Sequence, residues 1–151
     1  MPGRPAARLG DSTIHGSPLS PGTGSPNVLI GNKPAWRGLP LASVGQLLES
    51  AQNATESAAQ AITATNEIER ADHLRNIAQE AASMAQTMGS TDQHACPVMK
   101  GPVADGTGVV IDGSLTVLIN GLPACRVGDT IQEITSVNKI AMGDPTVLIG
   151  G

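Results

Sequence analysis

The sequence predicts a mainly β fold, a small pseudo-threefold body of β-hairpin repeats with an α-helical hairpin inserted in it. Three observations carry that prediction. First, one phrase recurs: Val-Leu-Ile, a Gly/Asn pair, then Pro-Ala-x-Arg. It runs from Val28 to Arg37 and again from Val117 to Arg126, and a third copy is split between the ends, with Pro5-Ala6-Ala7-Arg8 at the start and Val147-Leu148-Ile149-Gly150-Gly151 at the finish. Second, Pro5 to Val28 and Pro123 to Val147 are nearly equal stretches, whereas Pro34 to Val117 is longer by about sixty residues, so one unit carries an insertion. Third, within that excess the apolar period changes from that of a strand to that of a helix.

Taken in order, Pro5 to Asp11 reads as a short strand ending at Gly10-Asp11. Ser12 to Asn27 is a loop, because Pro18, Pro21 and Pro26 stiffen it and block a helix. Val28-Leu29-Ile30 is a short buried strand turned by Gly31-Asn32. The second copy turns at Asn120-Gly121, a pair that tolerates positive φ and marks a type I′ hairpin. From Leu41 to Met88, one helical face is marked by Val44, Leu47, Leu48, Ala51, Ala54, Ala58 and Ile62. A second is marked by Ile68, Ala71, Ala78, Ala81, Ala82, Ala85 and Met88. Ser43 with Gln46 fits a capping box, and Asn66 with Glu69 resembles one. The expected helices are residues 43–62 and 67–88. A hairpin returns the two ends of an insertion to one place, which a single long helix cannot do.

After Gly89 the β pattern resumes, with a loop from His94 through Gly101-Pro102 and Asp105-Gly106, then a strand at Val109-Val110-Ile111. The second full hairpin follows, Gly128-Asp129 repeats Gly10-Asp11, and Ile131 to Met142 reads as a last loop. The expected division is a repeat body at 1–40 and 90–151 and a helical insertion at 41–89.

Composition narrows the function. The 151 residues include no Phe, no Tyr and one Trp, so the core must be thin and built from aliphatic side chains and Ala. A net charge of −4 argues against a nucleic-acid binder, which would show a basic face. The start, Met1-Pro2-Gly3-Arg4, has no apolar h-region, so the expectation is synthesis in the cytoplasm without a signal peptide. The apolar helical faces lack Trp, Phe and most large residues and the polar faces lack a Lys/Arg excess, so stable membrane insertion is not expected. No nucleophile triad, His-Glu-x-x-His helix or phosphate loop is present, and an enzyme is not expected; a zinc enzyme is the remote alternative.

Three like hairpins pack most simply around a threefold axis. The Gly/Asn turns then lie at one end and the loops after Gly-Asp meet at the other, and without aromatics the body should taper. A monomer of this symmetry is shaped to sit on a homotrimer, one repeat per subunit. The turn residues Gly31, Asn32, Asn120, Gly121 and Gly150 are the expected contacts to such a partner.

Three Pro-Ala-x-Arg copies, three Val-Leu-Ile copies and the Gly-Asp-x-Thr-x-His form from Gly10 to His15 make the chain resemble the PAAR-repeat family over about 1–40 and 90–151. The resemblance implies a conical tip that caps the VgrG homotrimer of a type VI secretion spike, sharpens it for piercing target envelopes and helps carry effectors. It implies export by that apparatus. The helical insertion lies outside it and is the expected attachment surface for an effector or chaperone. The rival reading is the tip of a phage-tail or pyocin-like contractile particle.

The resemblance also implies a zinc ion (Zn2+) at the pointed end, held by His and Cys from the tip loops. Carried onto this chain, those are His15, His94 and Cys96. A metal suits such an end, because a narrow tip has little core and a metal adds folding free energy directly. The third loop, Thr130 to Met142, has neither His nor Cys; Glu133 follows Pro123 at the spacing by which His15 follows Pro5, and is the expected fourth ligand. Cys125, Asp105 and water are the alternatives, although Cys125 falls nearer the broad end and reads as a buried small residue. Trp36 reads as a core residue, and Arg8, Arg37 and Arg126 as structural.

Overall fold

A computed structural model describes residues 2–151. Its elements in chain order are β1 (Arg4–Ala6), β2 (Leu29–Ile30), β3 (Lys33–Pro34), α1 (Leu41–Thr63), α2 (Glu67–Met88), β4 (His94–Lys100), β5 (Val103–Val110), β6 (Leu118–Ile119), β7 (Leu122–Pro123), β8 (Thr130–Gln132), β9 (Val137–Lys139) and β10 (Asp144–Ile149). The three repeats are the antiparallel pairs β2–β3, β6–β7 and β10–β1, the last joining the two ends of the chain. Both closed hairpins turn through two residues of positive φ, Gly31 (56°) with Asn32 (65°) and Asn120 (53°) with Gly121 (79°), which is the type I′ geometry.

The Pro-Ala-x-Arg segments meet one another. Ala7 N–H donates to Cys125 O (2.9 Å), Cys125 N–H to Trp36 O (3.1 Å) and Trp36 N–H to Ala7 O (3.0 Å), a closed ring of three bonds. A second ring has donors two residues further along each segment and acceptors two residues back: Leu9 N–H to Pro34 O (2.9 Å), Gly38 N–H to Pro123 O (2.8 Å) and Val127 N–H to Pro5 O (2.9 Å). These rings mark the pseudo-threefold axis. Each motif proline gives its carbonyl to a ring and, having no N–H, leaves no donor to satisfy there. Ala6, Ala35 and Ala124 are wholly buried where the three chains converge, packed with Ile30, Ile119 and Ile149. A larger side chain would force the segments apart. The next layer holds Ala7, Trp36 and Cys125 with Leu19, Val110, Ile131 and Ile140, so the lone Trp is a core residue.

Each motif arginine closes on an aspartate. Arg8 gives its main-chain N–H, Nε and Nη2 to Asp11 (2.8, 3.1 and 3.0 Å). Arg126 gives the same three to Asp129 (2.8, 3.1 and 3.1 Å). In the middle repeat the partner is Asp92, on the far side of the insertion (2.8, 2.9 and 2.9 Å). Asp92 is thus the counterpart of Asp11 and Asp129, and the helices are spliced inside an Arg-x-Gly-Asp turn. Hydrogen bonds to Asp11 and Asp92 hold the Arg8 and Arg37 guanidinium groups above their ordinary pKa.

α1 packs between α2 and the β4–β5 ribbon. Leu47 and Ala51 meet Met84, Met88 and Val109, while Ala58 and Ala61 meet Val103, Leu74 and Ile77. The α2 face packed on α1 is therefore the partly buried Leu74 and Ile77 with the buried Met84 and Met88; Met88 belongs to the expected stripe, but Ile68, Ala71, Ala78, Ala82 and Ala85 of that stripe point to solvent. Both stripes have helical spacing, and the one with larger side chains removes more apolar area from water. Asn66 caps α2 by accepting from Glu69 N–H (2.8 Å). α1 begins at Leu41 after Pro40 with no side-chain cap, so the Ser43–Gln46 box does not form.

Two stretches expected mostly as loops are sheet, and the strand expected at Val109-Val110-Ile111 is the end of β5, which stops at Val110. Residues from His94 to Val110 form the antiparallel β4–β5 ribbon, and the last loop contains β8 and β9; together they make one four-stranded sheet in the order β4-β5-β8-β9. The strand at Pro5 is shorter than expected, ending at Ala6.

Candidate metal centre and threefold base

The first loop, the β4–β5 ribbon and the segment after β8 converge at one end. His15 comes from the first loop, where its main-chain N–H is held by Asn138 Oδ1 (3.1 Å). Cys96 lies on β4 just before the register slips between Cys96 and Met99, where Pro97 interrupts pairing; Asp105 lies opposite on β5. Glu133 follows β8, and Asn138 of β9 donates to its Oε2 (3.2 Å).

One donor atom from each of His15, Cys96, Asp105 and Glu133 falls within 4.8 Å of all the others. His15 Nδ1 is 3.2 Å from Glu133 Oε1 and 3.3 Å from Asp105 Oδ2. Cys96 Sγ is 3.6 Å from both His15 Nδ1 and Asp105 Oδ2. A tetrahedral ion with bonds of about 2.0–2.3 Å needs its ligands about 3.3–3.8 Å apart, close to these separations of 3.2–3.6 Å. The surroundings fit as well. Glu133 and Asp105 are fully buried, and Glu133 Oε1 has no hydrogen-bond partner. A buried, unpaired carboxylate is costly unless a cation meets it. Among the described residues, Lys100 is the one Lys or Arg in ion-pair reach of the group, with Nζ 3.0 Å from Asp105 Oδ1. Burial, with Glu133 adding, pushes the Cys96 thiol above its ordinary value, and a coordinating metal would reverse that by taking the thiolate.

Of the residues expected as ligands, the structure brings His15, Cys96 and Glu133 into this group. It adds Asp105, the weaker alternative, and leaves His94 just outside. His94 is fully buried, its Nδ1 2.8 Å from Pro18 O and its Nε2 3.3 Å from Ser17 Oγ and 3.5 Å from Glu133 Oε2. Donation from Nδ1 to a carbonyl leaves the lone pair on Nε2, the arrangement a ligating imidazole requires. Cys125 is buried on the axis, away from the group, and burial drives its thiol well above the ordinary value. Lys100 and Asn138 were not anticipated. Neither belongs to a repeated phrase, and their roles depend on cross-strand register.

At the opposite end, the central leucines of the three Val-Leu-Ile copies point outward with nearly identical exposure: Leu29 60 %, Leu118 60 % and Leu148 59 %. Strand alternation produces this, since each following isoleucine turns inward. The turn residues Gly31, Asn32, Asn120 and Gly121 lie exposed beside them, and Gly150 is half-buried. Asn120 is also bound inward, its Oδ1 accepting from Ser25 Oγ (2.6 Å). Gly150 O accepts from Ser114 Oγ (2.6 Å) and Arg126 Nη1 (3.0 Å), which stitches the last strand to its neighbour.

Fold and site together define a threefold-repeat β domain with a symmetric apolar base and a metal-type cluster at its loop end. The family model described as PAAR motif matches residues 100–151, so the last third of the chain carries a PAAR motif. The usual setting of such repeats is the structural tip of a type VI secretion spike. No curated protein and no solved structure matches the chain. No helix among the described residues is long and apolar enough to cross a membrane.

Proposed function

We propose that this protein caps a VgrG-type homotrimer as the tip of a secretion spike, seated by its threefold base. The observation that carries the reading is the ring of Leu29, Leu118 and Leu148, one per repeat and equally exposed. Three symmetric, solvated leucines are unfavourable for an isolated chain and natural for one that meets three identical subunits. At the other end a zinc ion ties the loops together through His15, Cys96 and Glu133, with the fourth place filled by Asp105, already in the group, or His94, whose lone pair faces Glu133. The metal would supply folding energy where the core is thinnest. Cargo or a chaperone would meet the solvated face of α2.

The test of the docking reading is calorimetric titration of the chain into a trimeric spike protein of the VgrG type. Aspartate at Leu29, Leu118 and Leu148 together should weaken binding at least a hundredfold, about 3 kcal/mol, without changing the melting temperature much, because these side chains are exposed. Unchanged binding would remove the base as the docking face.

A further inference from the structure

We propose that Lys100 is the counter-cation of the metal centre, supplying the positive charge that a divalent ion alone leaves wanting. The inference rests on reading the cluster as a metal site. Three anions meet there once a metal is bound: the Asp105 and Glu133 carboxylates and the Cys96 thiolate. An imidazole ligand, His15 alone or His15 with His94 in the fourth place, adds no charge. A divalent ion therefore leaves one negative charge in a buried site, and Lys100 cancels it. This holds whether Asp105 or His94 fills the fourth place, because Asp105 stays in the site either way.

The placement supports this role. Lys100 ends β4 beside the Gly101–Pro102 turn, paired with Val103, and its side chain is 47 % exposed, while Asp105 is 1 % exposed. The ammonium thus approaches the buried carboxylate from the solvent side. Its Nζ is in ion-pair reach of Oδ1, which makes no hydrogen bond, and Oδ2 faces His15 and Cys96. Its Nζ also lies 3.5 Å from Thr135 O, and Thr135 N–H donates to Asp105 O (3.2 Å), so the same contacts tie the Glu133 loop to β5. In the metal-free chain Lys100 is the cation that offsets these carboxylates. Metal and ammonium are like charges serving the same anions, so Lys100 must steady the metal-free protein and weaken the hold on the ion.

That sign separates charge compensation from simple orientation of Asp105. Loss of an orienting partner weakens metal binding, typically by about 10–100-fold. Loss of a competing cation strengthens it. The experiment is titration of zinc alone, against a competing chelator, into the metal-stripped full chain, for wild type, Lys100→Met and Lys100→Arg. Lys100→Met should bind about tenfold more tightly, with the difference shrinking as salt rises, and Lys100→Arg should match wild type. The melting temperature of Lys100→Met should be lower than wild type without zinc and rise further on its addition. If Lys100→Met does not fold without metal, Lys100→Gln is folded with zinc and the rate of zinc loss to chelator is read; it should be slower than wild type. Equal or weaker zinc binding by Lys100→Met, or faster loss from Lys100→Gln, overturns the inference. If wild type itself binds no zinc, it is the metal reading that has failed.

Discussion

Arg126 and Asp129 show what the motif arginine does. Both are buried, and three hydrogen bonds join them inside one tight turn. Removing Asp129 as Asp129→Ala strands a buried guanidinium and should cost about 3–5 kcal/mol, measured by chemical denaturation. The sequence showed Gly10-Asp11 and Gly128-Asp129 but reads naturally as turn formers, and Asp92 could not be matched to them because the insertion separates it from Arg37. Cys125 yields a second prediction at this scale. Burial raises its thiol well above the ordinary value, so the folded chain keeps a proton that the unfolded chain gives up in alkali. The contribution is fully present below the ordinary thiol value, about 8.5, and is lost as pH rises through the folded value. Melting temperature should therefore fall on the alkaline side in the wild type, and fall less steeply in Cys125→Ala. The metal cluster was half legible for a similar reason. His15, His94 and Cys96 came from the family resemblance, Glu133 from its spacing and Asp105 only as a weaker alternative, whereas the place of Lys100 depends on the pairing of β4 with β5.

At the scale of elements, the helices were legible and their packing was not. The period from Leu41 to Met88 gave two helices close to the observed bounds. α2, however, carries two stripes of helical spacing, and only tertiary contact decides which faces α1. Glutamate at Ala54, buried on α1, should therefore cost several kcal/mol, about 3 or more, through an unpaired buried charge. Glutamate at Ala78, on the solvated stripe, should change stability by less than about 0.5 kcal/mol. Denaturation midpoints of the two variants compare them directly, and the reverse order would mean that the other face of α2 is the packed one. Should the solvated stripe serve cargo, Ala78→Glu would assemble on the spike and lose delivery. Of the β4–β5 ribbon only the end at Val109-Val110 was expected, because Pro97, Gly101-Pro102 and Gly106 read as loop punctuation; in the fold they mark a bulge, a turn and a close approach to Ile134.

Across the whole molecule, the threefold repeat was the most legible feature, because the same three demands recur at each step round the axis: a proline carbonyl, a small axial alanine and an arginine with its aspartate. Symmetry then dictates that one end presents three equal surfaces. The insertion breaks the symmetry on one side only, and the β4–β5 ribbon that follows it carries Cys96 and Asp105 to the loop end. A symmetric base for a trimer and an ion at the opposite end are the two halves of one account. Native mass spectrometry of the complex with a VgrG-type spike protein tests both together. One mass is expected: three partner subunits, one copy of this chain and one zinc ion. A complex with a copy on each subunit, or no complex, would contradict the threefold base, and a one-to-three complex without metal would contradict the site.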